Sequence, residues 1–412
     1  MKSISKKVMA GLLVGATSLS IWAPTSDAAA PENNRYYSIH LQSNNNKVWD
    51  VFNNATYDNA GIRLYGQTNG DNQQFVFFPL DGGTYAIVNK NSGKPVGIGD
   101  PIIIDDGVRR MTAFNNEGLR QTSWTGAPAE QWYLREQGTS NYEFVNQGYG
   151  KVASYAWMGT LAQNWEYVDL DNSNPTDGDR VFYVSAGQVN KGNVPFHGTF
   201  SLPKLPAVGT RPNAPDYNTS AGPNQQLPQT SNSVVVGASL VPCIMVNDNQ
   251  ASDYTKIHNS PYYTLIKEEY WDQTFSKVIQ PGLSESYTFK SGVSSVDQQK
   301  MTDTLNMKIG ADFGLQFGSK TPATPGTPES SNGGTVAIKA EISRTLQTEI
   351  STTNTQATEE TITQTATGEA GKATGYTQYQ LATKYTLKRS DGSIVSDPWV
   401  VKNNRVTVTR KI

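Results

Sequence analysis

The sequence of 412 residues contains one cysteine, Cys243, and three histidines, His40, His197 and His258. A single thiol excludes an intrachain disulfide framework, and within its apolar run, Leu240 to Val246, Cys243 reads as a buried small hydrophobe. The histidines lie far apart with no cysteine or carboxylate cluster beside them, so neither a metal site nor a cofactor is expected. Charged residues are scarce at 17%, and a net charge of −2 gives no basic excess to release phosphate counterions, which argues against nucleic acid as a partner. Beyond the N-terminus no apolar run approaches the roughly 20 residues of a membrane-spanning helix. A Gly-x-Ser-x-Gly elbow, a phosphate loop and a zincin motif are all missing. Glu268 and Glu269 are adjacent, but neighbours on a strand point to opposite faces and cannot share a proton. No catalytic residue is assigned, and the chain is not read as an enzyme.

In place of charge the sequence has 36 glycines, 20 tyrosines and long tracts of Asn, Gln, Ser and Thr. This is the composition of a turn-rich, all-β extracellular protein. The first 30 residues read as a secretory signal: Lys2, Lys6 and Lys7 precede a mostly apolar stretch from Val8 to Ala23, and Ala28, Ala29 and Ala30 supply a small-residue cleavage site. The mature chain is expected to begin near Pro31 and to be secreted.

Three stretches then echo one another, Tyr37 to Lys47, Tyr85 to Lys94 and Tyr142 to Lys151. Each is an aromatic residue, an apolar strand, a polar turn and a lysine. A second echo follows each: Gln73-x-Phe75, Glu130-x-Trp132 and Asp179-x-Val181. Such a period indicates a threefold repeat whose units bury their faces only together. The pattern resembles the ricin-type β-trefoil lectin domain, with a lectin-like domain over 31–200. The resemblance implies a carbohydrate site in the first repeat. Asp50 stands at its carboxylate position, Tyr65 at its stacking position, Arg63 at a polar contact and Asn72 at the amide before Gln73. The chemistry suits a hexose, because a carboxylate and an amide bind paired hydroxyls and a ring packs the apolar sugar face. The alternative for Asp50 is a turn-capping aspartate. Gln73 and Phe75 read as core. Gly97 and Ser154 replace the carboxylate in the other two repeats, although Trp165 and Tyr167 could still stack.

Residues 201–230 hold Pro203, Pro206, Pro212, Pro215, Pro223 and Pro228, which marks a linker or extended strap. A second β-rich domain is expected over 231–412, opening at Val234 and closing on the alternating strand Arg405 to Arg410. Its sharpest pattern runs through Leu305, Met307, Ile309, Ala311, Phe313, Leu315 and Phe317, with polar residues or glycine at every position between. Val336, Ile338, Ala340 and Ile342 alternate in the same way after a gap containing Pro322, Pro325 and Pro328. Together they read as an amphipathic β-hairpin over about 305–342. Thirteen residues at about 3.3 Å each reach roughly 43 Å, and tilted by about 40° still exceed the ~25 Å apolar band of a membrane barrel. Two strands cannot close a barrel, so several copies would have to contribute. Alternation is equally what a one-sided soluble sheet shows.

Ser343 to Thr367 contains 12 Ser or Thr in 25 residues, and Thr361, Thr363, Thr365 and Thr367 fall on one face. Ser/Thr-rich strands beside such a hairpin resemble the elongated pore-forming domain of aerolysin-type β-pore-forming toxins. Val236 to Asp248, with Val241-Pro-Cys243 at its centre, then Ser260-Pro-Tyr-Tyr263, Glu269-Tyr-Trp271 and the Leu202-Pro-Lys-Leu-Pro206 strap, resemble the binary-toxin-like (Tpp) insecticidal family. The resemblance implies a trefoil followed by an aerolysin-like domain. It also implies an insecticidal pore former that docks to a cell-surface glycan or glycoprotein receptor and forms a homo-oligomer on the target membrane, and it leaves open a second toxin component as a partner. Insect targeting and activation by gut proteases rest on the resemblance alone. The alternative is a secreted carbohydrate-active enzyme or a lectin with a trefoil module. The enzyme would need two carboxylates about 5–9.5 Å apart, for which the sequence offers no motif. Tyr262, Tyr263, Tyr270 and Trp271 suit either headgroup and glycan contacts or sheet core.

Overall fold

Six aromatic side chains at the centre of the N-terminal half explain its architecture. Trp49, Phe75, Phe77, Trp132, Phe144 and Phe182 are all fully buried. Trp49 is the hub, with ring centroids 6.1 Å from Phe75, 6.4 Å from Trp132, 5.2 Å from Phe144 and 5.5 Å from Phe182. The third residue of the first two repeat motifs, Phe75 or Trp132, lies in this interior, and its counterpart Val181 is also buried. The computed structural model describes residues 31–80, 83–100, 102–105, 110–114, 117–159, 164–187, 197–305, 307–309, 315–317 and 359–412. Short antiparallel strands surround the aromatic core in a twelve-stranded sheet, and the whole is a β-trefoil. The first repeat pairs Asn44–Val51 with Ala60–Gly66, and the third pairs Val152–Gly159 with Asn164–Asp171.

One trefoil hairpin has no solvent face. Phe75, Phe77 and Ile87 point into the trefoil core, while Val76, Phe78, Ala86 and Val88 join Val241, Cys243, Tyr262 and Tyr263 of the second half. A strand buried on both faces needs a continuous apolar run, and Phe75-Val76-Phe77-Phe78 supplies it. Phe78 meets Tyr262 edge-on at 5.0 Å, and Tyr36 Oη donates to the Ile257 carbonyl at 2.9 Å. Gly93, in the left-handed region at φ 71°, passes so close to the Asp253 backbone that no Cβ fits. Cys243 is buried in this shared core, and Tyr262, Tyr263 and Trp271 are sheet core.

The strap lies along the second sheet and is fixed largely through its carbonyls. Prolines leave it few N–H groups for a ladder, so side chains of the sheet donate instead. Trp271 Nε1 bonds Pro212 O at 2.7 Å, Tyr379 Oη bonds Pro228 O at 2.6 Å, and Arg410 reaches Ala214 O and Pro215 O. Ala214 and Leu227 pack on Trp271, Tyr379 and Leu381.

The second sheet has six strands in the order Val234–Pro242, Tyr262–Ile279, Thr374–Lys388, Trp399–Lys411, Ser284–Val293 and Glu360–Thr367. Tyr262–Ile279, at 18 residues, spans roughly 60 Å. Glu268 and Glu269 face different partners, as the strand geometry requires: Lys384 at 2.9 Å and Arg211 at 2.7 Å.

The segment read as one strand from Leu305 to Phe317 is different. Leu305 ends a helix, Ser295–Leu305, whose buried residues Met301, Thr304 and Leu305 sit at i, i+3 and i+4. Beyond it, Met307–Ile309 pairs antiparallel with Leu315–Phe317, with Met307 opposite Phe317 and Ile309 opposite Leu315. The two three-residue strands therefore run in opposite directions and are not one continuous strand. Odd residues pair with odd, so the reversal leaves the apolar alternation intact. Phe313, Val336, Ile338 and Ile342 lie outside the described residues.

Candidate functional site

Asp50, Arg63, Tyr65 and Asn72 converge on one end of the first repeat. Asp50 and Arg63 are cross-strand partners, and Arg63 Nε donates to Asp50 Oδ1 at 2.7 Å. A 3-10 turn, Asp71–Gln73, delivers the amides: Asn72 Nδ2 and Gln73 Nε2 both donate to Asp50 Oδ2, at 3.0 and 2.8 Å. The Asp50 side chain is only 2% exposed, and a buried carboxylate with three donors is well compensated. Gln73 Oε1 accepts from the backbone N–H of Thr68 and Asn69, which fixes the loop leading into the turn. Tyr65 is 47% exposed. Its ring lies 4.1 Å from Arg63 Cζ, and the Phe52 ring lies 5.0 Å from the same carbon. Trp165 of the third repeat, expected to serve its own repeat, packs on Phe52 at 5.1 Å. Beside the cluster Lys47 is ion-paired with Glu166.

The second repeat is built on the opposite logic. Gly97 stands where Asp50 stands, and a Cβ there would press against Glu130 Cγ at 3.2 Å. Glu130 takes the place of Gln73 and accepts from Thr125 N, Thr125 Oγ1 and Gly126 N at 2.8–2.9 Å. Burial pushes its carboxyl above the usual range, opposed by these bonds. The amide is thus present where a carboxylate faces it and is replaced by a carboxylate where none does. Sequence reading missed Phe52 and the bond between Gln73 and Asp50. The spacing of Asp50 to Gln73 carried the signal for the second.

The second half presents a different surface. Ser284–Val293 and Glu360–Thr367 form a ribbon whose strand ladder to the main sheet, among the described residues, runs through Gly292 and Val293, with side-chain bonds from Ser291 to Lys402 O and from Asn404 to Glu360 beside it. Its outer face sets Ser284, Ser286 and Thr288 opposite Thr367, Thr365 and Thr363. Its inner face packs Tyr287, Phe289, Ile362 and Ala366 against Phe275, Ile279 and Tyr376. Among the described residues no group of His, Cys, Asp or Glu could hold a metal ion. None of their helices is long and apolar enough to cross a membrane.

Two family models match the chain: a ricin-type β-trefoil lectin domain-like model over residues 22–109, and the insecticidal crystal toxin P42 model over residues 234–411. Residues 234–411 are thus similar to the insecticidal crystal toxin P42. The chain is 29% identical over 342 residues to the binary larvicide subunit BinA of Lysinibacillus sphaericus, covering 82% of this chain and 80% of that protein. It is 27% identical over 350 residues to subunit BinB, covering 82% and 70%. The crystal structure of Cry35Ab1 superposes with a TM-score of 0.67 at 19% identity, over 92% of this chain and 90% of that one, which shows a shared fold. The resemblance read from Val236 to Asp248 thus extends along most of the chain.

Proposed function

We propose that this protein is a secreted insecticidal β-pore-forming toxin. Its trefoil docks to a cell-surface glycan or glycoprotein. The second domain then forms a homo-oligomer on the target membrane and inserts strands from the segment between Leu305 and Ile342, with no enzymatic step. Similarity to the insecticidal crystal toxin P42 and to two larvicide subunits supports the toxic role. That two such subunits are relatives also supports a second protein component. The observation that carries membrane insertion is the ribbon of Ser284–Val293 and Glu360–Thr367. It flanks the amphipathic segment, has a hydroxyl-lined outer face, and among the described residues shares a strand ladder with the main sheet only through Gly292 and Val293, the rest of its attachment being side-chain packing and side-chain hydrogen bonds. In a barrel that hydroxyl face would look onto water and the apolar residues 305–317 onto lipid, with closure satisfying every strand edge.

Dye release from liposomes and from insect midgut membrane vesicles, before and after trypsin, tests the proposal. Release together with heat-resistant oligomers on a gel is the expected result. No release from any vesicle, with or without candidate partner subunits, refutes pore formation.

A further inference from the structure

A carboxylate-led sugar site needs carboxylate oxygens free to accept from ligand hydroxyls. The first repeat leaves them almost inaccessible, because the Asp50 side chain is 2% exposed and already accepts three bonds. Both oxygens of Asp50 are engaged by the protein itself, one by Arg63 and the other by Asn72 and Gln73. The charged group at the outer layer of the cluster is therefore the guanidinium. Arg63 uses Nε on Asp50, and its two terminal amines have no hydrogen-bond partner among the described residues. The side chain is 21% exposed, and its plane is held by the Phe52 and Tyr65 rings. A fixed guanidinium edge with two parallel N–H donors matches a carboxylate bidentately. The exposed ring of Tyr65 offers a surface for the apolar face of a pyranose.

We propose that the first trefoil repeat binds a carboxylate-bearing sugar, held by a fork from Arg63 and stacked on Tyr65. This rests on the glycan-docking reading and assigns its ligand class. Asp50 is the positioning residue that aims the guanidinium. Lys47 and Glu166 cancel one another at the side of the site, and Asp50 offsets Arg63. Recognition therefore comes from donor geometry more than from a strong field.

The full-length chain should be applied to immobilised sugars in three groups: neutral hexoses, carboxylate sugars such as uronic and sialic acids, and sulfated hexoses. Binding is expected to the carboxylate group and to weaken as salt rises. Arg63→Lys keeps the charge but loses the fork, and binding should fall at least tenfold. Tyr65→Ala leaves the bonds of Asp50 untouched and should weaken the same sugars severalfold, which guards against misfolding of the arginine variant. Binding of neutral hexoses that survives Arg63→Lys overturns the proposed ligand class while leaving glycan docking standing. Binding of sulfated sugars alone overturns the carboxylate assignment. Binding of no sugar overturns both this inference and the docking reading.

Discussion

Acidification from pH 6.5 to 4 is expected to destabilise the trefoil through a buried relay of two histidines and a serine. His40 Nδ1 lies 2.8 Å from the Asn45 carbonyl, so it must carry a proton. Neutral His40 then accepts at Nε2, and Ser38 Oγ donates to it at 2.7 Å. Ser38 Oγ in turn accepts from His197 Nε2 at 3.0 Å. Each tautomer follows from its hydrogen-bond partners. Burial pushes His197 down to about 4, with His40 and Lys90 adding repulsion. His40 is also lowered by burial, partly offset by its bond to Asn45, and its ring otherwise faces Tyr183. The unfolded chain takes up protons near pH 6.5 while the folded chain refuses them until about pH 4. Stability is therefore complete above 6.5 and falls as pH drops through that window. A displacement from 6.5 to about 4 corresponds to about 3 kcal/mol for His197 alone. Glu130, raised by burial, acts in the opposite direction, since protonation relieves its burial cost. The lowered carboxylates Asp58 and Asp248 contribute only below pH 3.8. His197→Gln isolates the histidine part, because a glutamine amide can still donate to Ser38 without titrating. Urea unfolding followed by tryptophan fluorescence at pH 7 and 4.5 should show wild type losing stability that the variant keeps. Equal losses in the two proteins would refute the relay.

Three further perturbations have defined outcomes. Leu315→Asp should abolish pore activity while secretion and glycan binding persist, since a charge on the lipid face costs up to a few kcal/mol per subunit; dye release by that variant at wild-type level would remove the segment from the proposed barrel. Arg389→Met should cost about 3–5 kcal/mol, because it strips the bidentate partner at 2.6 and 2.7 Å from a fully buried Asp248; thermal unfolding measures it. Gly93→Ala should lower the thermal midpoint by straining the left-handed turn against Asp253, whereas Gly150→Ala, with open space around it, should carry the backbone cost alone.

The trefoil was legible because its period is written in aromatic and amide residues that can serve only one interior. That Asp50, Arg63, Tyr65 and Asn72 cluster was legible because they keep spacings set by strand length and turn position. Leu305–Phe317 misled for a physical reason: a hairpin whose paired residues share parity has the same alternation as a straight strand. The helix before it was equally hidden, since only Met301, Thr304 and Leu305 are buried among polar neighbours. The sequence shows Gly97 in place of Asp50 and Glu130 in place of Gln73 as separate changes; that the two positions face one another becomes visible only in space.

The hairpin with one face in each core bears on how such proteins can be recombined. Cutting the chain in the strap would leave Val76, Phe78, Ala86 and Val88 in water on one fragment and Tyr262 and Tyr263 on the other. The lectin half is therefore no interchangeable cartridge. Grafting a different trefoil onto this second half requires transplanting its docking face as well, or redesigning the aromatic seam to match. Change in the trefoil is tolerated more readily at exposed positions such as Tyr65 than by exchange of the whole domain.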